Sequence, residues 1–299
     1  MICEIEMAFF CHKGRVRSNN EDNYLCAGTF LPEQHEGSEE IGLRTLQVKK
    51  SPVIAVFDGM GGESCGETAS FLGARTLDTC ARRSVRQIRR APDRFLNNAC
   101  LSMNHEVCDY AARNKIATMG STLVAAAFGK KEFAVCNLGD SRIYLLQDGV
   151  LTQLSTDHVA ARRAFGKAPL TQYLGLPEED ATPEPSMVRL PYQDGMRLLL
   201  CTDGLTDMLS PDRIRRILTG EVRQTQALGT IDQILAWDPL PDQQEACSPP
   251  DLSTAATLLL RDALTAGGRD NVTGILCDIH AGSEEEKNKT GLLQWLTRL

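Results

Sequence analysis

The hydrophobic and polar positions divide this chain into strand-like and helix-like stretches. Short apolar runs bounded by glycine, proline or charge predict strands. These runs lie at residues 3–11, 24–27, 53–57, 121–128, 131–137, 141–147, 150–154, 196–201 and 275–279. Helix-forming composition covers 67–114, where Pro92 starts a new helix, and also 211–218 and 252–266. We interpret the first run as an edge strand and the four runs from 121 to 154 as one antiparallel meander.

The order of these elements predicts the fold class. Strands follow one another through short turns, whereas helices come in pairs, and this arrangement disfavours a parallel doubly wound sheet. We therefore expect an α+β protein in which two packed antiparallel sheets are flanked by helices. Residues 157–195 read as irregular, 221–250 as a possible insertion, and the end of the chain as a charged tail with a possible short terminal helix.

Composition narrows the classes of function. The 299 residues carry a net charge of -7, which argues against nucleic-acid binding because that requires a basic face. The eleven cysteines form no Cys-x-x-Cys pair and fit a reducing cytosol. The first residues include acids and no basic segment, so we expect no signal peptide, and no apolar run is long enough to span a membrane. We expect a cytoplasmic monomer with no nucleic-acid or membrane partner.

Four Asp-Gly pairs separate into two groups by context. Asp-Gly is most often a tight turn, and the pairs at 148–149 and 194–195 lie where a strand follows a turn. The pairs at 58–59 and 203–204 instead follow buried strands and precede helices. Asp58 and Asp203 are therefore the first candidates for a functional site.

A third aspartate shares this placement at a strand end. Asp270 immediately precedes the strand-like run Asn271-Val-Thr-Gly-Ile-Leu, and if the three strands are adjacent, its carboxylate meets those of Asp58 and Asp203. Clustered carboxylates repel unless a cation neutralises them. Oxygen ligands without His or Cys favour Mg²⁺ or Mn²⁺ over zinc. Such a site favours attack of a metal-activated water on a phosphoryl group.

Six motifs give a resemblance to a known family. They are Arg17-Ser-Asn-Asn-Glu-Asp, Asp58-Gly-Met-Gly-Gly, Met119-Gly-Ser-Thr, Asn137-Leu-Gly-Asp-Ser-Arg, Thr202-Asp-Gly-Leu and Gly268-Arg-Asp-Asn-Val-Thr. Their order and spacing resemble the bacterial metal-dependent serine/threonine phosphatases of type 2C, the PPM family. The resemblance runs from about residue 14 to residue 279. It implies a four-layer α-β-β-α sandwich and a catalytic domain over residues 1–281, followed by a tail at 282–299.

The resemblance also implies roles for individual residues. Two Mn²⁺ or Mg²⁺ ions would be held by Asp58, which bridges them, by the Gly59 carbonyl, and by Asp203 and Asp270. Arg17 would hold phosphate oxygens as a fork, and Glu21 and Asp22 would hydrogen-bond the waters of the ions. The substrates would be proteins that a serine/threonine kinase has phosphorylated.

Three features depart from the family pattern. Met60 stands where animal relatives have a histidine that suits a general acid. Residues 115–122 lack the acid that helps to bind a third ion, so only two ions are expected. The flap at about 157–180 is short and borders the substrate groove, so the choice of substrate does not transfer.

The sequence leaves two other functions open. One is a catalytically weak, metal-binding regulatory module of the same fold, although such a module has no chemical need for Arg17 together with all three aspartates. The other is the hydrolysis of a small phosphate ester at the same centre. For two further residues a structural interpretation is favoured: Asp140 as a tie within the meander through Arg142, and His158 as a loop residue. Asp207 is interpreted as a helix-start or loop acid.

Overall fold

The computed structural model describes residues 2–61, 65–161, 168–177, 181–222 and 249–282. Its strands are β1 (Ile2–His12), β2 (Asp22–Cys26), β3 (Gly42–Gln47), β4 (Val53–Gly61), β5 (Met119–Ser121), β6 (Leu123–Phe128), β7 (Glu132–Leu138), β8 (Arg142–Gln147), β9 (Val150–Gln153), β10 (Ser186–Pro191), β11 (Met196–Cys201) and β12 (Val272–Gly282). Its α-helices are α1 (Gly66–Arg83), α2 (Val85–Arg90), α3 (Pro92–Asn114), α4 (Asp203–Thr206), α5 (Pro211–Thr219) and α6 (Leu252–Thr265). The predicted tail, and most of the predicted insertion, lie outside the described residues.

The strands form two antiparallel sheets. The first has the order β3-β1-β12-β11-β8-β9, and the second has the order β10-β7-β6-β4-β2. The short strand β5 pairs with the end of β4. Helices α1 to α3 pack against the second sheet, and α4 to α6 pack against the first. The predicted four-layer α-β-β-α sandwich is confirmed.

Alternation along the central strands explains why apolar runs mark them. In β4, Ile54 and Val56 point into the core between the sheets, whereas Val53, Ala55 and Phe57 pack against the helices. Side chains on a strand alternate between its two faces, so a strand covered on both faces must be apolar throughout. Because both faces of β4 are covered, the strand holds the residue that follows Phe57 in a fixed position.

Two predictions about strand pairing are wrong. The first strand is not an edge strand, because β1 pairs with β12 on one side and with β3 on the other. The meander is broken between β7 and β8, which lie in different sheets. The turn between them includes Gly139, with φ +97°, and it crosses from one sheet to the other. A short turn between two apolar runs indicates a hairpin by default, so the sequence pattern did not reveal this crossing.

The sequence analysis also missed two strands, β3 and β10, which lie at an edge of the first and of the second sheet respectively. The segment rich in proline that precedes β11 contains β10, which pairs with β7 at the edge of the second sheet. Pro191 ends β10, and a proline is tolerated there because an edge strand leaves one row of N–H groups unpaired. The predicted helix break at Pro92 is confirmed, with the short helix α2 preceding it.

A candidate active site between the two sheets

Asp58 lies inside β4, where the strand changes partners. Asp58 pairs with Asp22 of β2, and residues 59–61, which follow it, pair with β5. Thr122 fixes the Asp58 backbone from both sides: its Oγ1 accepts from the Asp58 N–H at 3.1 Å, and its N–H donates to the Asp58 carbonyl at 2.8 Å. Thr122 Oγ1 also lies 2.6 Å from Ser141 Oγ. The expectation that the strand ends at Asp58 is therefore wrong, and β4 continues to Gly61.

The glycines confirm the division of the four Asp-Gly pairs. Gly149 and Gly195 have φ angles of +77° and +76° and open space around them, as turn glycines do. A Cβ on Gly59 would overlap the Gly66 carbonyl, and a Cβ on Gly204 would overlap the carbonyl of Asn271. The two glycines after the site aspartates are therefore required for close packing of backbone on backbone.

Asp22 is buried directly beside Asp58. Its side chain accepts a hydrogen bond from Thr202 Oγ1 at 2.9 Å, which links the second sheet to the end of β11 in the first. Burial raises the pKa of Asp22 well above its usual value, and the charges of Asp58 and Asp270 raise it further. The carboxylates of Asp22, Asp58 and Asp270 therefore lie close enough for their charges to interact.

Asp203 and Asp58 line one pocket. This acid pocket has a volume of about 240 Å³ and is also lined by Met60, Thr122 and Asp140. Asp203 is buried and is the first residue of α4, two positions after the end of β11 in the first sheet. Asp58 comes from the second sheet. The acid pocket therefore lies where the two sheets meet.

Asp270 and Arg17 form an ion pair at the rim of the site. Arg17 Nη2 lies 2.8 Å from Asp270 Oδ2, and both side chains keep contact with solvent. Burial alone would lower the pKa of Arg17, but the charges of Asp270, Glu21 and Asp58 outweigh it and raise the pKa. Arg17 therefore lies in the field of three of the predicted site residues. It uses one of its five N–H groups on Asp270.

Asn271 joins the loop that carries Arg17 to the turn that carries Asp270. Its Oδ1 accepts from the Glu21 N–H at 2.8 Å, and its Nδ2 donates to the carbonyls of Lys13 and Asn19 at 2.8 and 3.0 Å. Asn271 is 4% exposed, so these three hydrogen bonds have little competition from water. Asn271 therefore fixes the position of the loop at residues 13–21 relative to the turn that carries Asp270.

Glu21 is half-buried at the edge of the same cluster. Burial raises its pKa, and the charges of Glu67 and Asp270 add to this effect, while Asn19 and Arg17 oppose it. The Glu21 carbonyl accepts from the Gly59 N–H at 3.1 Å, which fastens the loop to β4. Of the two predicted water-orienting acids, Asp22 therefore pairs with Asp58 across β2 and β4, and Glu21 contacts the next residue, Gly59, through its backbone.

The donor set of the pocket fits a hard divalent cation. Among the described residues, no three His, Cys, Asp or Glu side chains are placed to ligate one ion together. Magnesium in proteins takes one or two carboxylates and keeps several waters. Asp58 and Asp203 supply carboxylate oxygens to one pocket, and no His or Cys lines it; its one soft atom is the thioether sulfur of Met60, which a hard cation does not take as a ligand. This set favours Mg²⁺ or Mn²⁺.

The structural interpretations of three other residues can be compared with the structure. Asp207 is exposed just after α4, in agreement with its interpretation as a loop acid. His158 accepts from the Gly139 N–H through Nδ1 at 3.3 Å and is structural. Arg142 forms an ion pair with Asp157 at 2.7 Å. Asp140 was interpreted as a structural residue, but it lines the acid pocket.

Sequence reasoning missed the residues that position the aspartates. Thr122, Thr202 and Asn271 each lie in one of the six motifs, and each bonds a neighbouring site residue or its backbone. The sequence signal that could have identified these positioning residues is a small polar residue within a motif. The position of Asp140 at the acid pocket was not predicted, because the crossing between β7 and β8 was not foreseen.

Comparison with known proteins identifies the family. Residues 43–236 match the profile of the family described as Protein phosphatase 2C, and the chain belongs to that family. A Listeria monocytogenes protein named serine/threonine phosphatase stp is 28% identical over 90% of this chain and 94% of its own length. Mycobacterium tuberculosis PstP, a serine/threonine protein phosphatase, is 27% identical over 89% of this chain and 43% of its own length. The predicted enzyme class, a protein serine/threonine phosphatase, is confirmed.

Solved structures agree with this family. PppA, described as a key regulatory component of T6SS in Pseudomonas aeruginosa, superimposes with a TM-score of 0.67 at 26% identity, over 92% of this chain and 97% of its own. The PstP catalytic domain, solved with two manganese ions, gives a TM-score of 0.64 at 26% identity, over 93% of this chain and 100% of its own. No helix in the described part of the chain has both the length and the hydropathy needed to cross a membrane.

Proposed function

We propose that this chain hydrolyses phosphoserine and phosphothreonine on proteins with two Mn²⁺ or Mg²⁺ ions bound in the acid pocket. The observation that carries this proposal is that Asp58 and Asp203, from different sheets, line one pocket beside the guanidinium of Arg17. The names of the relatives and the two manganese ions of the PstP structure support it. The ions would supply a water acidified enough to attack phosphorus at neutral pH.

The residues of this chain divide the remaining work. We assign Asp58, Asp203, Asp270 and the Gly59 carbonyl to holding the ions, and Glu21 and Asp22 to orienting their waters. Arg17 keeps its bond to Asp270 and offers its other N–H groups to two phosphate oxygens. The charge that grows on those oxygens in the transition state strengthens these bonds, which lowers the barrier.

Met60 occupies the position at which animal relatives have a histidine suited to act as general acid. Met60 lines the acid pocket and cannot donate a proton. We infer that a water protonates the serine or threonine oxygen as it leaves. The rate of the chemical step should then depend on the leaving-group pKa more steeply than in a relative with a histidine at that position.

One experiment tests the proposed function against its alternatives. Turnover of p-nitrophenyl phosphate and of a phosphothreonine peptide is measured with Mn²⁺, with and without a chelator. We expect turnover of both substrates, loss with chelator, and loss in Asp203→Ala. The control is Asp207→Ala, which removes an exposed acid from the same turn and should keep full activity.

Each other result has a clear meaning. Turnover of p-nitrophenyl phosphate alone would replace the proposal with a small phosphate-ester hydrolase. A wild-type protein that binds Mn²⁺ and turns over neither substrate would be a regulatory module. Equal Mn²⁺ affinity of wild type and Asp58→Ala by calorimetry would remove Asp58 from the ion site. Sedimentation would test the expected monomer, and cell fractionation the expected cytoplasmic location.

A further inference from the structure

A second pocket lies at the opposite end of the sandwich from the acid pocket. This basal pocket has a volume of about 270 Å³ and is lined by Cys3, Val48, Lys49, Arg89, Lys130 and Tyr192, among others. Cys3 is near the start of β1, whereas the other end of β1, at His12, pairs with the residue two positions after Asp270. Cys3 and His12 are nine residue steps apart along the strand, or about 30 Å. The basal pocket is therefore separate from the active site.

Three cations from three parts of the chain line the basal pocket. Lys49 comes from the 3₁₀ turn Val48–Lys50, Arg89 from α2, and Lys130 from the turn between β6 and β7. All three are exposed, and none forms an ion pair within the part of the chain that the structure describes. Further exposed cations lie close to them in sequence: Lys50, Arg86, Arg90 and Lys131. This concentration is unusual on a chain with a net charge of -7.

Hydrogen bonds hold these three segments together. The Lys130 N–H donates to the Arg89 carbonyl at 3.0 Å, and Arg89 Nη1 donates to the Lys49 carbonyl at 3.3 Å. Tyr192 Oη donates to the carbonyl of Gly129 at 2.8 Å. The backbones that carry the three cations are thus fixed by folding, so a ligand would not have to gather them.

The wall of the basal pocket is apolar. Val48 and Tyr192 are 6% and 8% exposed, and they stand next to the three cations. A ligand that suits both features has a compact anionic head and an apolar body. A carboxylate offers one charge and two coplanar oxygens, whereas a phosphoryl group offers up to two charges and three oxygens that point in different directions. Three cations from three directions match the phosphoryl group better.

We propose that the basal pocket is a noncatalytic binding site for a phosphate monoester, with its phosphoryl group bound by Lys49, Arg89 and Lys130. The apolar part of the ester contacts Val48 and Tyr192. The ester belongs either to a phosphorylated residue of a protein or to a small phosphorylated molecule, and both present the same head group. The proposal does not depend on catalysis, because binding is measured without divalent ions.

The test is calorimetric titration of the full chain with phenyl phosphate in the presence of a chelator. All proteins carry Arg17→Ala, which removes the phosphate contact proposed for the active site. We expect one binding site, weakened at least tenfold by Lys130→Ala and by Arg89→Ala. The matched controls Lys131→Ala and Arg86→Ala remove neighbouring cations that do not line the pocket, and they should leave the affinity within twofold.

Two checks keep the result interpretable. The Lys130→Ala variant keeps the backbone N–H that bonds Arg89, so it should fold as the parent does. In chains that retain Arg17, turnover of p-nitrophenyl phosphate with Mn²⁺ should be unchanged by all four basal substitutions. Absence of binding in the Arg17→Ala parent would overturn the proposal. Equal losses in the pocket variants and the controls would also overturn it, because they would show a diffuse charge effect.

The same titration distinguishes the two sources of the ester. A phosphothreonine peptide that binds at least as tightly as phenyl phosphate, while its unphosphorylated form does not bind, would support a phosphorylated protein. If phenyl phosphate binds and the phosphothreonine peptide does not, the result would support a small phosphorylated molecule. Inorganic phosphate binding more tightly than either ester would overturn the assignment, since the apolar wall would then contribute nothing.

Discussion

Replacement of Asn271 by alanine should separate the positioning of the Arg17 loop from the stability of the fold. The change removes three partly buried hydrogen bonds, to the Glu21 N–H and to the carbonyls of Lys13 and Asn19. At about 0.5–1.5 kcal/mol for each bond, the free energy of unfolding should fall by roughly 2–4 kcal/mol. Denaturant unfolding measures this loss.

The same change should also reduce catalysis. Without Asn271, the loop is no longer fixed to the turn that carries Asp270, so the Arg17 guanidinium spends less time in its position. A charge-assisted hydrogen bond contributes about 1.5–3 kcal/mol, so kcat/KM should fall roughly tenfold to a hundredfold on p-nitrophenyl phosphate with Mn²⁺. The measurement is made below the unfolding transition, with the folded fraction checked by circular dichroism.

A matched asparagine provides the control. Asn104 is 2% exposed and also makes three hydrogen bonds, with the N–H groups of Gly175 and Leu176 and the Leu176 carbonyl. Asn104→Ala should lose a similar free energy of unfolding but keep kcat/KM on the small ester within about threefold. If Asn271→Ala were destabilised to the same extent yet retained wild-type kcat/KM, the positioning role of Asn271 would be refuted.

Three further predictions concern stability. His158 accepts from the Gly139 N–H through an unprotonated nitrogen, and burial lowers its pKa. Because the pKa of His158 is lower in the folded state than in the unfolded chain, the folded state loses stability as the pH falls below about 6.5, the ordinary pKa of histidine. The melting temperature should therefore fall less steeply with decreasing pH in His158→Gln than in the wild type. Arg197 is buried and holds Asp278 with two bonds of 2.7 Å, so Arg197→Met should cost about 3–5 kcal/mol in urea unfolding; a cost below about 1 kcal/mol would contradict this. In Gly204→Ala the new Cβ meets a backbone carbonyl, so we expect a loss of about 1–3 kcal/mol together with weaker Mn²⁺ binding by calorimetry; unchanged Mn²⁺ affinity would show that the turn adapts.

The fold and the principal aspartates were predictable because they depend on local patterns. Apolar runs that end at Asp-Gly identified Asp58 and Asp203, and the contexts of the Asp-Gly pairs separated them from the turns. Asp140 could not be found in this way. Its place depends on a crossing between sheets, and the sequence of the turn between β7 and β8 does not show which sheet the chain enters next.

Contacts between distant segments explain the other omissions. Asn271 bonds the loop at residues 13–21, more than 240 positions earlier in the chain, and Thr202 bonds Asp22 across 180 positions. No local period or propensity encodes such pairs. The position of β1 in the middle of its sheet has the same origin, because the strand pairs with β12 from the other end of the described chain.

The division of the aspartates between the sheets links catalysis to assembly. Asp22 and Asp58 lie in strands of the second sheet, whereas Asp203 closely follows β11 and Asp270 closely precedes β12, both strands of the first. A folding intermediate in which only one sheet has formed would position only two of these four acids, and it would bind divalent ions weakly. Manganese should therefore slow the separation of the sheets far more than the loss of the outer helices, and the ion would act as a clasp across the sandwich.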